Sequence, residues 1–209
     1  MIAATGDRQA PLDDAWLRDE VATLLLAGHE TTANALSWTW YLLSRHPEVQ
    51  QRAVAAARST DDPVACAYLR QVLFESLSLY PPIWLMERRA READVIDGHP
   101  VPAGANVAVA TWLLHRHPAY WPEPGRFDPD RFADSQHHGR PGDHYLPFGL
   151  GPRTCLGLAF AVHEAAIVLA ACLARMHAEP VPGAAAVVPQ PGITLRPKGG
   201  LPLRLVWRD

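Results

Sequence analysis

Residues Phe148 to Gly157 read FGLGPRTCLG, and the fold class turns on them. Glycine and proline punctuate the segment as a loop. Directly after it, residues 159–176 read AFAVHEAAIVLAACLARM, with apolar side chains at three- and four-residue intervals. That spacing predicts a helix from about Leu158 to His177. A thiol at position 155 then faces unpaired backbone N–H groups and the positive end of a helix dipole. Such a sulfur suits a metal ligand or a nucleophile. The alternative is a buried, inert cysteine, the usual fate of a lone free thiol.

Phe148, Gly151, Arg153, Cys155 and Gly157 fill every fixed position of F-x-x-G-x-R-x-C-x-G. The stretch resembles the haem-ligand loop of the cytochrome P-450 family. The resemblance implies that Cys155 is the axial iron ligand and that Arg153 forks onto a haem propionate. Gly151 would allow a backbone conformation closed to other residues, and Gly157 would let the chain pass close beneath a flat ring. Phe148 would pack beside the sulfur and keep the bond dry.

At 209 residues the chain has a single-domain length, with 48% hydrophobic and 20% charged residues. A net charge of −3 gives no footprint for nucleic acid. The cysteines (Cys66, Cys155, Cys172) are odd in number and far apart, which argues for a reducing compartment rather than a disulfide framework. The opening MIAATGDRQAPLDD lacks the apolar core of a signal peptide. No run reaches the ~18 uninterrupted apolar residues of a membrane span. A soluble, cytoplasmic setting without a membrane is the expectation.

Residues 1–12 are expected to form a loop. From about Asp13 to Arg45 apolar residues recur on a helical stripe, with Asp13 or Asp14 as cap and Pro47 as stop. A helix of that length spans roughly 50 Å and must cross a whole domain. Its middle reads Ala27-Gly28-His29-Glu30-Thr31-Thr32, similar to the family's oxygen-binding signature A/G-G-x-D/E-T-T/S. By that resemblance Gly28 clears space over the iron, while Glu30 and Thr31 deliver protons to dioxygen. The Thr31 hydroxyl is expected to bond back to the Ala27 carbonyl. Taken alone, the segment equally describes a helix with a glycine and two threonines lining a groove.

A short helix over about Pro47 to Arg58 and another over about Val64 to Leu79 follow. The second carries Glu75-Ser76-Leu77-Ser78, where the family has E-x-x-R. The glutamate is present, and serine replaces the arginine. In the family this glutamate sits in a buried triad with two arginines. Here Arg126, in the P-G-R-F of residues 124–127 that resembles the family's P-E-R-F, is expected to pair with Glu75. Losing one partner of a buried ionic cluster typically costs about 3–5 kcal/mol.

Arg89 matches the family's second propionate-binding arginine; otherwise it is one exposed member of the Arg88-Arg89-Arg91 cluster. Residues 94–118 predict turns and a short strand leading into a helix, and residues 133–146 a polar loop. The final residues predict hairpin strands. Ten histidines raise a zinc alternative through His115, His117, His137, His138 and His144, though without H-E-x-x-H or paired C-x-x-C spacing.

These expectations combine into one domain over residues 1–209, mainly α with small β hairpins, resembling the C-terminal, haem-binding half of the cytochrome P-450 fold. The resemblance implies a haem-thiolate monooxygenase that inserts one atom of O2 into a small organic substrate. Electrons would come from a separate ferredoxin or flavin reductase. A truncated, catalytically impaired haem-binding or interaction protein is the rival. Either way, the long helix is expected to expose apolar surface, calling for self-association or a complementary chain.

Overall fold

The computed structural model describes residues 13–133 and 144–208. Helix α1 runs Asp14–Arg45; the Asp13 carboxylate caps it by accepting from the Trp16 amide at 2.6 Å. His46 breaks the run, and Pro47 opens α2 (Pro47–Ser59) at a position where its missing N–H costs nothing. Helix α3 (Ala67–Leu79) stops at Tyr80, before two prolines. Helix α5 (Leu158–Leu173) is shorter than its apolar run predicts. The chain turns after Ala174 because Met176–Pro180 leaves the helix to pair as a strand.

The core sits where the second half of α1 meets α2, α3 and α5. Leu43, Leu69, Val72, Leu169 and Leu173 are all fully or almost fully buried there. Each such side chain contributes roughly 1.5–3 kcal/mol of burial. Trp38 is sealed in α1 and stacks on Tyr80 with ring centroids 4.0 Å apart. A smaller cluster of Trp121, Phe132 and Tyr145 packs against Phe74 of α3.

Four antiparallel strand pairs surround this bundle. Strand β1 (Met86–Arg89) pairs with β4 (Asn106–Val109), and β2 (Asp94–Ile96) with β3 (His99–Val101). The one-turn helix α4 (Thr111–Leu114) follows β4. Strand β5 (Met176–Pro180) pairs with β8 (Leu203–Trp207), and β6 (Pro189–Gln190) with β7 (Arg196–Pro197). Buried Gln50 ties β5 to the bundle: its side chain donates to the Ala178 carbonyl at 3.0 Å and accepts from the Ala178 amide at 2.7 Å.

Helix α1 is two helices in environment. Its C-terminal half supplies Thr32, Ala35, Trp38, Thr39 and Leu42–Ser44 to the interior. Its N-terminal half is bare, with Val21 at 56%, Leu25 at 68% and Leu26 at 74% exposure. Among the described residues no helix is long and apolar enough to cross a membrane.

The structure corrects one expected ion pair. Glu75 is 1% exposed and pairs at 3.2 Å with Arg131, not with Arg126. Arg126 turns outward onto Glu123 at 3.0 Å and Asp128 at 3.8 Å. The cause is local backbone. A 3-10 turn over Pro129–Phe132, capped by Asp128, aims Arg131 inward, where its guanidinium also donates to the Pro122 carbonyl. The P-D-R-F of residues 129–132 therefore holds the position expected of P-G-R-F. Ser78, in place of the expected arginine, is buried, and Glu75 Oε2 has no hydrogen-bond partner among the described residues.

Candidate functional site

The cysteine loop is held by its own backbone. The Cys155 amide donates to the Phe148 carbonyl at 2.9 Å, and a 3-10 turn over Gly151–Arg153 lies between them. Gly149 and Gly151 take φ of 74° and 75°, the left-handed region where a side chain would be strained. This gives the glycine at position 151 its physical reason. The Thr154 hydroxyl donates to the Gly151 carbonyl at 2.8 Å and closes the turn.

Cys155 lies three residues ahead of α5, and its side chain is exposed. A Cβ placed on Gly157 would stand 3.9 Å from the Cys155 sulfur, so any larger residue would begin to cover it. Phe148 is half-buried, whereas Leu156 and Phe160 are 89% and 69% exposed. Exposed Cys155 thus has uncovered apolar side chains one and five residues further along the chain.

Arg89 and Arg153 have no acidic or carbonyl partner among the described residues. Arg89 stands on β1 with its guanidinium beside Gly104, where an added Cβ would come within 3.5 Å of it. Arg153 ends the 3-10 turn two residues before Cys155. The donor set fits a haem: one accessible soft ligand, two uncommitted guanidinium groups suited to carboxylates, and bare apolar surface for a flat ring.

In the middle of α1 the Thr31 hydroxyl donates to the Ala27 carbonyl at 2.7 Å, the back-bond its position predicts. Gly28 has open space around it; an added Cβ would meet nothing within 4 Å. Glu30 Oε1 accepts from the Thr194 hydroxyl at 2.6 Å, and that hydroxyl accepts from Asn34 Nδ2 at 3.0 Å. Asn34 and Thr194 belong to none of the sequence motifs. The one signal for them was the placing of Glu30, Asn34 and Trp38 four residues apart on a single helix face.

The histidines go elsewhere. His115 is fully buried, and burial pushes its pKa down to about 4, so the ring is neutral and its Nε2 accepts from the Leu146 amide at 2.9 Å. His144 stacks on Tyr120. His137 and His138 lie outside the described residues, among which no group of metal-ligating side chains comes together.

The model of the Cytochrome P-450 family matches residues 1–203. Cyclooctatin synthase of Streptomyces melanosporofaciens is 38% identical over 99% of this chain, which covers 46% of that protein. Cyclooctat-9-en-7-ol 5-monooxygenase of the same organism is 38% identical over 82% of the chain and 39% of its own length. Protein LUTEIN DEFICIENT 5, chloroplastic, of Arabidopsis thaliana is 33% identical over 99% of the chain and 36% of its own length. The chain thus spans less than half the length of these curated relatives. Kinship at this identity, running over both the cysteine loop and the long helix, places the chain in the cytochrome P-450 family.

Proposed function

We propose that residues 1–209 form the haem-binding part of a haem-thiolate monooxygenase acting on a small organic molecule. The observation that carries this is exposed Cys155 on a loop folded by left-handed Gly149 and Gly151, ahead of α5, with bare apolar side chains at Leu156 and Phe160. Haem bound there supplies the activation of O2 from which one oxygen atom enters the substrate. Cys155 would be the iron ligand, with Phe148 shielding it and Gly157 leaving it uncovered. Arg89 and Arg153 would hold the propionates. Gly28 would leave room on the facing side, and Glu30 and Thr31 would hold and pass protons. A separate ferredoxin or flavin reductase would supply electrons, in keeping with a family of oxidoreductases. The free cysteines accord with a reducing, cytoplasmic setting.

A second reading is favoured by the bare half of α1 and by the unpartnered Glu75 Oε2 beside buried Ser78. On that reading the chain binds haem poorly by itself and needs a complementary N-terminal chain.

The deciding experiment is the absorption spectrum of the haem-supplied protein, reduced and exposed to carbon monoxide. A Soret band at the thiolate-ligated position that disappears in Cys155→Ser supports the first reading. A band unchanged in Cys155→Ser would assign another ligand and overturn it. Haem uptake seen only after a complementary half is added favours the second.

A further inference from the structure

The tip of the C-terminal hairpin is fastened to α1 by three side chains on one helix face. Trp38 Nε1 donates to the Leu195 carbonyl at 2.9 Å, and Asn34 Nδ2 donates to the Thr194 hydroxyl at 3.0 Å. The Thr194 hydroxyl in turn donates to Glu30 Oε1 at 2.6 Å. The other side of the tip is fixed as well, since the Leu195 amide donates to the Pro82 carbonyl and Trp84 Nε1 to the Gly192 carbonyl, each at 2.9 Å. Thr194 is 4% exposed, whereas Glu30 is exposed.

This arrangement orients a hydrogen. Asn34 occupies an acceptor site of the Thr194 hydroxyl, so the hydroxyl hydrogen is directed at Glu30, and serial hydrogen bonds polarise one another. An exposed glutamate otherwise samples many rotamers. With Oε1 tied to a buried hydroxyl, the carboxylate is held at one place on α1, next to Thr31, and Oε2 stays uncommitted among the described residues.

We propose, on the haem-thiolate reading of this site, that Thr194 is a positioning residue for Glu30: through the Asn34–Thr194–Glu30 hydrogen-bond chain, the C-terminal hairpin sets where the proton-carrying carboxylate stands. Thr194 itself transfers nothing; its hydroxyl hydrogen stays on its oxygen.

The test uses the wild-type chain, Thr194→Val, Thr194→Ser, Glu30→Ala and the double variant Glu30→Ala/Thr194→Val. The first readout is the guanidinium unfolding midpoint, which requires no haem. Thr194→Val is expected to lower the midpoint clearly in the wild-type background and by distinctly less in the Glu30→Ala background, where only the bond from Asn34 is left to lose. Equal shifts in both backgrounds overturn the proposal. The second readout uses haem-supplied protein with a surrogate ferredoxin and reductase, and no added substrate. Hydrogen peroxide released per NADPH oxidised should rise several-fold in Thr194→Val with a changed pH profile, and Thr194→Ser should restore both. A peroxide yield and pH profile that do not change would reduce Thr194 to a clamp and overturn the positioning role. Absence of the thiolate-type carbon monoxide band in the wild type would instead sink the haem-thiolate reading, and the midpoint comparison would still decide whether Thr194 fixes Glu30.

Discussion

Glu75 shows what one changed residue does to a buried ionic cluster. Its Oε1 accepts from the Asp128 amide at 2.9 Å and from Arg131 at 3.2 Å, while Oε2 accepts from nothing among the described residues. Burial outweighs these partners and raises its pKa from 4.5 to about 7. Below pH ~4.5 the carboxyl is protonated both folded and unfolded, and pH has no leverage through it. Between there and about pH 7 the unfolded chain ionises first, so stability falls as pH rises; above that the penalty is complete, on the order of 3 kcal/mol. Glu75→Gln is expected to remove this slope, read from denaturation midpoints across the same pH range. Arg131→Ala should cost about 3–5 kcal/mol near pH 8 and clearly less near pH 5, where Glu75 carries its own proton. Arg126, 60% exposed on its side chain, should change stability by no more than about 0.5 kcal/mol when replaced by alanine. Equal effects of the two substitutions would contradict the pairing. Here the sequence was ambiguous for a physical reason. P-G-R-F and P-D-R-F lie five residues apart with the same arginine-phenylalanine ending, and the 3-10 turn that aims one arginine inward is set by the packing of Phe132 and the Asp128 cap. Gly151 of the cysteine loop was legible because its left-handed φ of 75° depends on its own backbone alone.

Among the elements, α1 carries two stabilities in one helix. Both its ends were readable, from the Asp13 cap and from Pro47, but periodicity does not reveal which of its turns find partners. Residues 21–30 are all exposed, whereas Trp38 and Leu43 are completely buried. Hydrogen exchange should therefore give amides of residues 18–28 low protection and those of residues 36–43 protection near the global limit. Uniform protection along the helix would mean that its first half is already covered in solution. The early end of α5 has a similar cause. Its alanine-rich sequence favours continued helix, but pairing of Met176–Pro180 with β8 prevails, and that pairing joins strands far apart in sequence. Strand β1 was unreadable for the same reason, since its partner β4 begins only at Asn106.

For the whole molecule, the bare apolar side chains on α1 and around Cys155 make one prediction about company. Leu25, Leu26, Leu156 and Phe160 range from 68% to 89% exposed, more than isolated surface residues explain. Sedimentation of residues 1–209 should show concentration-dependent self-association that weakens in Leu25→Lys/Leu26→Lys/Phe160→Lys. A wild-type chain that stays monomeric at every concentration would contradict this. The mainly helical class with small hairpins was legible from the start; the tie from hairpin to long helix was not, because it joins residues 157 to 164 positions apart. That separation also sets a timetable for the growing polypeptide. At translation speeds of about 5–20 residues per second, Trp38 waits roughly 8–30 s after its own synthesis before Leu195 exists to accept its indole N–H. Throughout that interval the nascent chain presents an unsealed tryptophan, which makes this protein a candidate client for co-translational chaperones and makes truncations that remove the hairpin candidates for aggregation at birth.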